Sequence, residues 1–399
     1  MGWNKNYDGY TSFSYLVQGV DYKKFEEAKQ KDRVKSSTVR LSQAEEDRYE
    51  NIRESGIFIS LHDHGRTIVA DLAQNKEYVR ENHVSYGYEG LSISGMDAIF
   101  DGLLDGGNYI NSKYPWNWES VISELGMRFC DFDHQSFVIA AKKTDDIIRA
   151  HKEGKIAFIA HLEGAGPIGN ELDRIDILYG LGLRCMGITY SESNTFGTGL
   201  KEDNDGGLTD LGKDAVNRMN KLGMAIDIAH CGDQTSLDVI EESKTPIFIT
   251  HAGARTLWNT KRLKPDDVIQ ALAEKGGVIG VEAAPHTTIT KNHPHHNIES
   301  VMDHLQYLIN LVGIDHVAMG PDTNFGDHVG IHHLNAKELS IAKSHAGVQF
   351  EEVEFVDGIE NPGQFSNVAR WLIKNGYSDV EVKKIMGENV LRVLHKVWI

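Results

Sequence analysis

Short apolar runs alternate with longer amphipathic stretches from residue 57 onward, and this rhythm constrains the fold more than any other feature. Several runs are almost continuously hydrophobic, as expected of parallel strands that are buried on both faces. The stretches between them have helical periodicity; in residues 297–313, apolar side chains recur at i, i+3 and i+4. The predicted strands are 56–61, 90–96, 156–164, 183–190, 224–230, 246–253, 276–284 and 316–322.

Eight strands alternating with helices favour an α/β fold, the (β/α)8 TIM barrel, and 399 residues suit such a barrel with large strand-end loops. An open, doubly wound sheet is the alternative, because the strand count can be wrong by one. Residues 1–55 are polar and charge-rich, and we expect them to form an N-terminal helical extension. The barrel itself is then expected over residues 56–399.

The charge balance excludes several classes of partner. A formal net charge of -17, from 41 basic and 58 acidic side chains, disfavours binding to nucleic acid and to anionic membranes. Three scattered cysteines argue against a disulfide framework or a cysteine zinc site. The first residues lack a signal-peptide pattern and no apolar run is long enough to span a bilayer, so we expect a cytoplasmic protein. The sequence leaves the oligomeric state open, a homo-oligomer included.

Histidines and carboxylates follow the predicted strands at their C-terminal ends, which open onto the face of a barrel where active sites lie. His62 and His64 follow the first strand and, being two residues apart, point the same way. Glu163, His230 and His251 end the third, fifth and sixth strands. Mixed nitrogen and oxygen ligands of this kind predict two divalent metal ions, with zinc favoured and Glu163 bridging them.

Each of these residues alone has a plainer interpretation. A single histidine among 19 is usually structural, Glu163 fits a helix-facing carboxylate, and Asp322 fits a helix N-cap. Together they favour a metal site, because several ionisable groups are costly to bury unless they are paired or metal-bound. Asp322 ends the eighth strand, where it is placed to accept a proton from water and pass it to the leaving amine.

We expect other polar residues to lie outside the metal site. The pairs His295–His296 and His332–His333 fall in loop sequence, and we expect them to be solvated. Asp227 lies three residues before His230, so strand alternation predicts that it faces away from the site.

Long strand-end loops are predicted at 101–120, 191–208 and 323–338. Their aromatic residues would either wall a pocket or pack the loops down. These residues are Tyr109, Tyr114, Trp116, Trp118, Phe196 and Phe325.

From about residue 56 to its C-terminus the chain resembles the membrane (renal) dipeptidase family of zinc metallopeptidases, a branch of the amidohydrolase superfamily. The most specific stretches are LTDLGKDAVNRMNKLGMAIDIAH with TPIFITHAGAR, LINLVGIDHVAMGPD, and GIENPGQFSNVARWLIKNGYSDVEVKKIMGENVLRVL. The resemblance implies metal histidines at His230 and His251, a bridging glutamate at Glu163 and a catalytic aspartate at Asp322. It also implies that Arg262 binds the substrate carboxylate; a solvated surface arginine is the alternative.

The chain departs from this family at two positions. His64 stands where the family has aspartate, but His-x-His is the commoner form across the superfamily, so we expect the metal site to survive with one negative charge less. Tyr190 stands where the dipeptidases usually have a histidine that contacts the scissile carbonyl. A tyrosine hydroxyl can still donate a hydrogen bond to an oxyanion and would then serve both substrate binding and catalysis.

Three hypotheses about function follow, each with a small-molecule partner. The first is a binuclear, dipeptidase-like hydrolase that cleaves a dipeptide or small amide by metal-bound hydroxide, with Asp322 as general base and then acid. The second, motivated by His64 and Tyr190, is hydrolysis of a non-peptide substrate such as an N-acyl amino acid, cyclic amide or lactone. The third is a non-catalytic binding protein, which the complete set of predicted ligands disfavours.

Overall fold

The computed structural model describes residues 5–35, 37–103, 117–338 and 350–399, and its centre is one parallel sheet. The sheet runs in the order β1-β2-β4-β5-β6-β7-β8-β9, and β3 pairs only with β4 at its outer side. The strands are β1 Ile59–Asp63, β2 Ala98–Leu103, β3 Val138–Ala140, β4 Ile156–Leu162, β5 Leu183–Gly187, β6 Ala225–Asp227, β7 Phe248–Ala252, β8 Val278–Val281 and β9 Val317–Met319.

The sheet closes on itself where the segments that follow β1 and β9 meet. The Asp322 N–H donates to the His62 carbonyl at 3.0 Å, and the His64 N–H donates to the Thr323 carbonyl at 3.0 Å. Eight parallel strands with flanking helices therefore form the predicted (β/α)8 barrel, and the open, doubly wound alternative is wrong.

Helices surround the barrel, and their ends carry the predicted signals. Gly223 ends α7 in the left-handed conformation with φ of 75°, and a capping box of Ser378 and Glu381 starts α13. Among the described residues, no helix is both long and apolar enough to cross a lipid bilayer. The α-helices are α1 Gln43–Ser55, α2 Asn75–Arg80, α3 Tyr88–Ser92, α4 Trp118–Phe132, α5 Thr144–Lys152, α6 Asp173–Leu181, α7 Asp210–Leu222, α8 Asp233–Glu242, α9 Asp266–Glu274, α10 Ile298–Val312, α11 His328–Glu338, α12 Ser366–Lys374, α13 Asp379–Lys383 and α14 Asn389–Val397.

The prediction of a strand at residues 90–96 is wrong. Residues 88–92 form α3, and Gly95 then turns the chain with φ of 79°, so the strand of this repeat is β2, which follows that turn. The short edge strand β3 was not predicted, because three residues carry too little periodicity.

The predicted N-terminal helical extension contains α1, whereas the described residues before α1 form turns and isolated bridges. Lys5 of this extension lies beside the start of β2, where its ammonium group is 2.9 Å from the buried carboxylate of Asp97. Arg53 of α1 binds the same carboxylate at 2.8 Å. The boundary between extension and barrel after residue 55 stays a prediction.

The two ends of the barrel differ in polarity. Apolar side chains of the strands, among them Ile59, Phe100 and Phe248, fill one end together with residues of α14 such as Val393 and Leu394. Buried polar residues occupy the other end, where the strands finish. The fold therefore presents its chemical groups at the C-terminal ends of the strands, as TIM barrels do.

Candidate metal centre

The five predicted metal ligands converge at the C-terminal end of the barrel, and all are buried. Glu163 lies between two histidine pairs. Its Oε1 is 3.8 Å from His62 Nε2 and 3.7 Å from His64 Nε2, and its Oε2 is 3.6 Å from His230 Nε2. The His230 and His251 Nε2 atoms lie 3.1 Å apart. Each oxygen of one carboxylate thus faces a different part of the ligand set.

Asp322 lies on the His62 and His64 side of the centre. Its Oδ1 is 3.4 Å from His62 Nε2 and 3.2 Å from His64 Nε2. Its backbone has φ of 60°, a left-handed conformation that residues other than glycine adopt rarely. Such strain persists only where the surroundings enforce it, and the hydrogen bond from the Asp322 N–H to the His62 carbonyl does so here.

Irregular pairing places the ligands at the ends of their strands. The register of the sheet shifts between Ser60 and Asp63 in β1, at His161 in β4, and between Ile249 and Ala252 in β7. Bulges and register shifts re-aim side chains and occur preferentially beside active sites. Three of the strands that carry predicted ligands therefore depart from regular alternation close to those ligands.

Gly102 of β2 makes room for the centre. A Cβ atom added to it would lie 2.4 Å from Glu163 Oε1 and 2.7 Å from the Cε1 atoms of both His62 and His64. The Gly102 carbonyl also accepts a hydrogen bond from His64 Nδ1 at 3.0 Å, which directs His64 Nε2 at the centre. Sequence analysis missed this glycine, because nothing in FDGL marks the close approach.

The donor set fits divalent metal ions. His62 Nε2 and Glu163 Oε1 are buried and have no hydrogen-bond partner among the described residues. A tetrahedral zinc ion with ligands at about 2.0–2.1 Å separates those ligand atoms by about 3.3–3.4 Å. The separations among His62, His64, Glu163 and Asp322 run from 3.2 to 3.8 Å around that value. Buried lone pairs that face each other across such gaps are costly unless a cation binds them.

Opposing charges control protonation within the centre. Burial alone would raise the pKa of Glu163, but the imidazoles of His62 and His230 outweigh it and lower the pKa to about 2. Burial alone would lower the pKa of His64, but its hydrogen bond with Asp322 and the charge of Glu163 raise it to about 9. Burial lowers the pKa of His230 to about 4. Glu163 is therefore ionised and available as a ligand.

Tyr190 and Arg262 flank the second histidine pair. The Tyr190 ring stacks on His230 with centroids 4.1 Å apart, and burial and the charge of Glu163 raise its pKa well above the usual range. Its hydroxyl is therefore a neutral donor. Arg262 is buried, with Nη1 donating to the His251 carbonyl at 3.0 Å, so the alternative of a surface arginine is wrong.

Sequence analysis missed Glu282, which follows β8. It is fully buried and forms an ion pair with Arg262. Burial raises the pKa of Glu282 to about 7, although the charge of Arg262 opposes this rise. The available signal was its position near the C-terminal end of the predicted strand 276–284, since the predicted metal ligands also stand at strand ends.

The expectation for Asp227 is wrong. Its carboxylate lies inside the barrel, 3.2 Å from His161 Nε2, and His161 Nδ1 lies 3.2 Å from His62 Nδ1. Strand alternation did not apply because β6 ends at Asp227 and the chain turns before His230. The spacing could have revealed His161, which lies two residues before Glu163 in the predicted strand 156–164.

The pairs His295–His296 and His332–His333, which we expected to be solvated, are only partly exposed. His296 is fully buried and accepts the His286 N–H at 3.0 Å, whereas His295 is exposed. His332 and His333 lie on α11 rather than in a loop; His332 is half-buried with Nε2 3.3 Å from the Asp322 carbonyl, and His333 is exposed.

Two of the predicted strand-end aromatic side chains pack into the protein interior. Phe196 and Phe325 are fully buried. Trp118 lies under the guanidinium of Arg174, 4.9 Å from it. The other three aromatic residues lie outside the described residues; they are Tyr109, Tyr114 and Trp116.

Known proteins resemble this chain in sequence. The sequence profile of the membrane dipeptidase family (peptidase family M19) matches residues 125–340 and 346–398. The dipeptidase tcpJ of Claviceps purpurea (strain 20.1) is 29% identical over 259 residues, which cover 64% of this chain and 55% of that protein. The match thus spans little more than half of that curated relative.

Solved structures share the fold. An amidohydrolase from Pseudomonas aeruginosa superposes with a TM-score of 0.72 at 24% identity and covers 88% of this chain and 99% of its own. A metallo peptidase from Rhodobacter sphaeroides, liganded with a phosphinate mimic of the dipeptide L-Ala-D-Ala, superposes with a TM-score of 0.67 at 20% identity, covering 86% and 100%. At these identities the two structures show the barrel fold alone.

Proposed function

Because the chain belongs to the membrane dipeptidase family (peptidase family M19), we propose that it is a binuclear metal-dependent hydrolase that cleaves a dipeptide or a related small amide. One observation carries this proposal: Glu163 directs one carboxylate oxygen toward His62 and His64 and the other toward His230. A bridging carboxylate between two sets of nitrogen ligands is the arrangement that a two-metal hydrolase needs. The Claviceps purpurea dipeptidase supports the choice of substrate class.

The histidines would hold two divalent ions, which we propose to be zinc. His62 and His64 would bind one ion, His230 and His251 would bind the other, and Glu163 would bridge the two. Such ions supply Lewis acidity and lower the pKa of a coordinated water to about 7. Imidazole nitrogens mixed with carboxylate oxygens are a ligand set that zinc prefers.

The chain's own residues would move the proton and stabilise charge. We assign Asp322 Oδ1 to accept the proton of the attacking water and to return it to the leaving amine. The Tyr190 hydroxyl would donate to the scissile carbonyl oxygen as negative charge develops on it. The same Asp322 atom also lies within ligand distance of the His62 and His64 side of the centre, so its role needs a test that separates metal loss from activity loss.

A second candidate function is favoured by the Arg262 and Glu282 ion pair. Both Nη atoms of Arg262 have partners inside the chain, namely the His251 carbonyl and the Glu282 carboxylate. A substrate carboxylate would have to share Arg262 with Glu282, which places a second negative charge beside one buried guanidinium. Substrates without a free carboxylate, such as cyclic amides or lactones, avoid this cost.

The experiment combines metal analysis with a hydrolysis screen. Protein purified with zinc is assayed for metal content and then against dipeptides, N-acyl amino acids, cyclic amides and lactones, with Glu163→Gln purified in parallel as the control for contaminating hydrolases. We expect about two zinc ions per chain and fastest turnover of dipeptides. Faster turnover of cyclic amides or lactones would support the second candidate. A chain that binds two ions but turns over nothing would be a binding protein, and a chain that binds none would overturn the proposal.

A further inference from the structure

We propose that Asp227 is a positioning residue shared by both halves of the metal centre, because it fixes the hydrogen positions of His62 and His251, one ligand from each histidine pair. This inference rests on the proposed binuclear centre. It concerns residues behind the ligands that would not touch substrate. Groups behind the ligands set which nitrogen of a metal histidine carries its proton and how the ring is oriented.

The first arm runs from Asp227 through His161 to His62. Asp227 Oδ2 lies 3.2 Å from His161 Nε2, and His161 Nδ1 lies 3.2 Å from His62 Nδ1. An ionised carboxylate only accepts, so a neutral His161 ring carries its hydrogen on Nε2 and has a lone pair on Nδ1. That lone pair accepts the hydrogen of His62 Nδ1, which leaves the Nε2 lone pair of His62 for metal.

The second arm runs from the same carboxylate through Thr250 to His251. The Thr250 hydroxyl lies 2.8 Å from Asp227 Oδ2 and 2.7 Å from His251 Nδ1. Its single hydrogen goes to the carboxylate, so its oxygen accepts from His251 Nδ1. The Nε2 lone pair of His251 is thereby directed at the centre, where it lies 3.1 Å from His230 Nε2.

Asp227 is itself held rigidly. Its Oδ1 accepts the backbone N–H groups of Ala229 and Thr250, both at 2.9 Å. Asp227, His161 and Thr250 are all at most 1% exposed, so water does not compete for these bonds. The contact between Asp227 and His161 falls short of a linear hydrogen bond, which makes the first arm the weaker of the two. The His62 and His251 rings stack with centroids 3.7 Å apart, so the two arms also meet at the centre.

Asp227→Asn is the informative substitution because it preserves shape and reverses the hydrogen bonding. An amide whose oxygen keeps the backbone N–H groups of Ala229 and Thr250 presents its NH2 group to both His161 Nε2 and the Thr250 hydroxyl, because these two groups contact the same atom, Oδ2, of Asp227. His161 would then carry its hydrogen on Nδ1 and donate toward His62, which opposes metal binding at His62 Nε2. An asparagine in place of a buried aspartate is known to select the wrong histidine tautomer in this way, as in the serine protease triad.

The experiment measures loss of metal from the loaded protein rather than activity. Protein loaded with two Co²⁺ ions is challenged with a chelator, and absorption reports each ion as it leaves. We expect Asp227→Asn to weaken binding of both ions by about 10–100-fold. Thr250→Val removes only the second arm and should weaken one ion, and His161→Phe removes only the first arm and should weaken the other.

Asp131→Asn is the matched control for losing a buried carboxylate. Asp131 is fully buried, away from the centre, and accepts hydrogen bonds from the Tyr10 and Tyr88 hydroxyls. This variant should lose stability without any change in cobalt affinity or spectrum. If Asp227→Asn releases cobalt no faster than Asp131→Asn, the inference is overturned while the two-metal proposal stands. If the unmodified chain binds no pair of ions, the proposed function fails first.

Discussion

Gly102→Ala tests the arrangement of the metal centre, because it adds one methyl group at a position whose backbone conformation alanine can adopt. The new Cβ would lie 2.7 Å from ring carbons of both His62 and His64 and 2.4 Å from Glu163 Oε1. Carbon atoms pack at about 3.5–4.0 Å, so both rings must retreat by about 1 Å. Metal–ligand distances tolerate only about 0.2 Å, so this displacement should empty the half of the centre that contains the two rings.

We expect two measurable consequences. Zinc affinity of that half should fall, and turnover should fall by about 100-fold or more, because a displacement of about 1 Å costs that much in a preorganised site. Overpacking should also reduce the free energy of unfolding by about 1–3 kcal/mol. Zinc content after dialysis measures the first effect, and urea unfolding in the presence of a chelator measures the second without a contribution from metal.

Gly126→Ala is the matched control. Gly126 lies in the interior of α4, and a Cβ there would meet nothing within 4 Å. Alanine should stabilise that helix by about 0.5–1 kcal/mol and leave zinc content unchanged. Wild-type zinc affinity in Gly102→Ala would refute the arrangement of His62, His64 and Glu163 around Gly102.

Four further outcomes are expected. Asp322→Asn should retain metal and lose about 100-fold or more in turnover; loss of metal together with activity would make Asp322 a ligand instead. Glu163→Gln should reduce occupancy of both metal sites, since a neutral amide bridges two cations poorly, and metal analysis checks this. Tyr190→Phe should lower kcat by about 100-fold or more while KM changes little; unchanged steady-state kinetics would remove Tyr190 from the reacting groups. Burial lowers the pKa of His304 to about 4, from 6.5, so the unfolded chain binds this proton more readily and stability should fall as pH drops from about 6.5 toward 4. His304→Gln should flatten that part of the urea-unfolding profile.

The barrel could be predicted because its strands are buried on both faces. β4 and β7 stand in runs of apolar residues, so hydrophobicity alone located them. The same signal failed at 90–96, where an apolar run lies on α3 and the turn at Gly95. A short apolar run does not distinguish a strand from a helical turn, and only the packing of the finished barrel decides.

The metal ligands could be predicted because strand ends collect on one face whatever the detailed register. Glu282 and Gly102 could not, since their importance lies in what they touch. Glu282 matters because the chain folds Arg262 back onto it, and Gly102 matters because it has no side chain where three ligand groups converge. Neither contact leaves a periodic trace in the sequence.

The error at Asp227 shows where the alternation of side chains along a strand no longer predicts which way they point. Period-two reasoning assumes regular strand geometry, yet β1, β4 and β7 shift register beside the ligands, and β6 ends at Asp227 itself. His62 and His161 meet through their Nδ1 atoms although they lie on different strands. A regular barrel would place layers of apolar side chains at this depth. The early end of β6, which defeats prediction from sequence, is therefore the same feature that lets Asp227 and His230 both point into the barrel.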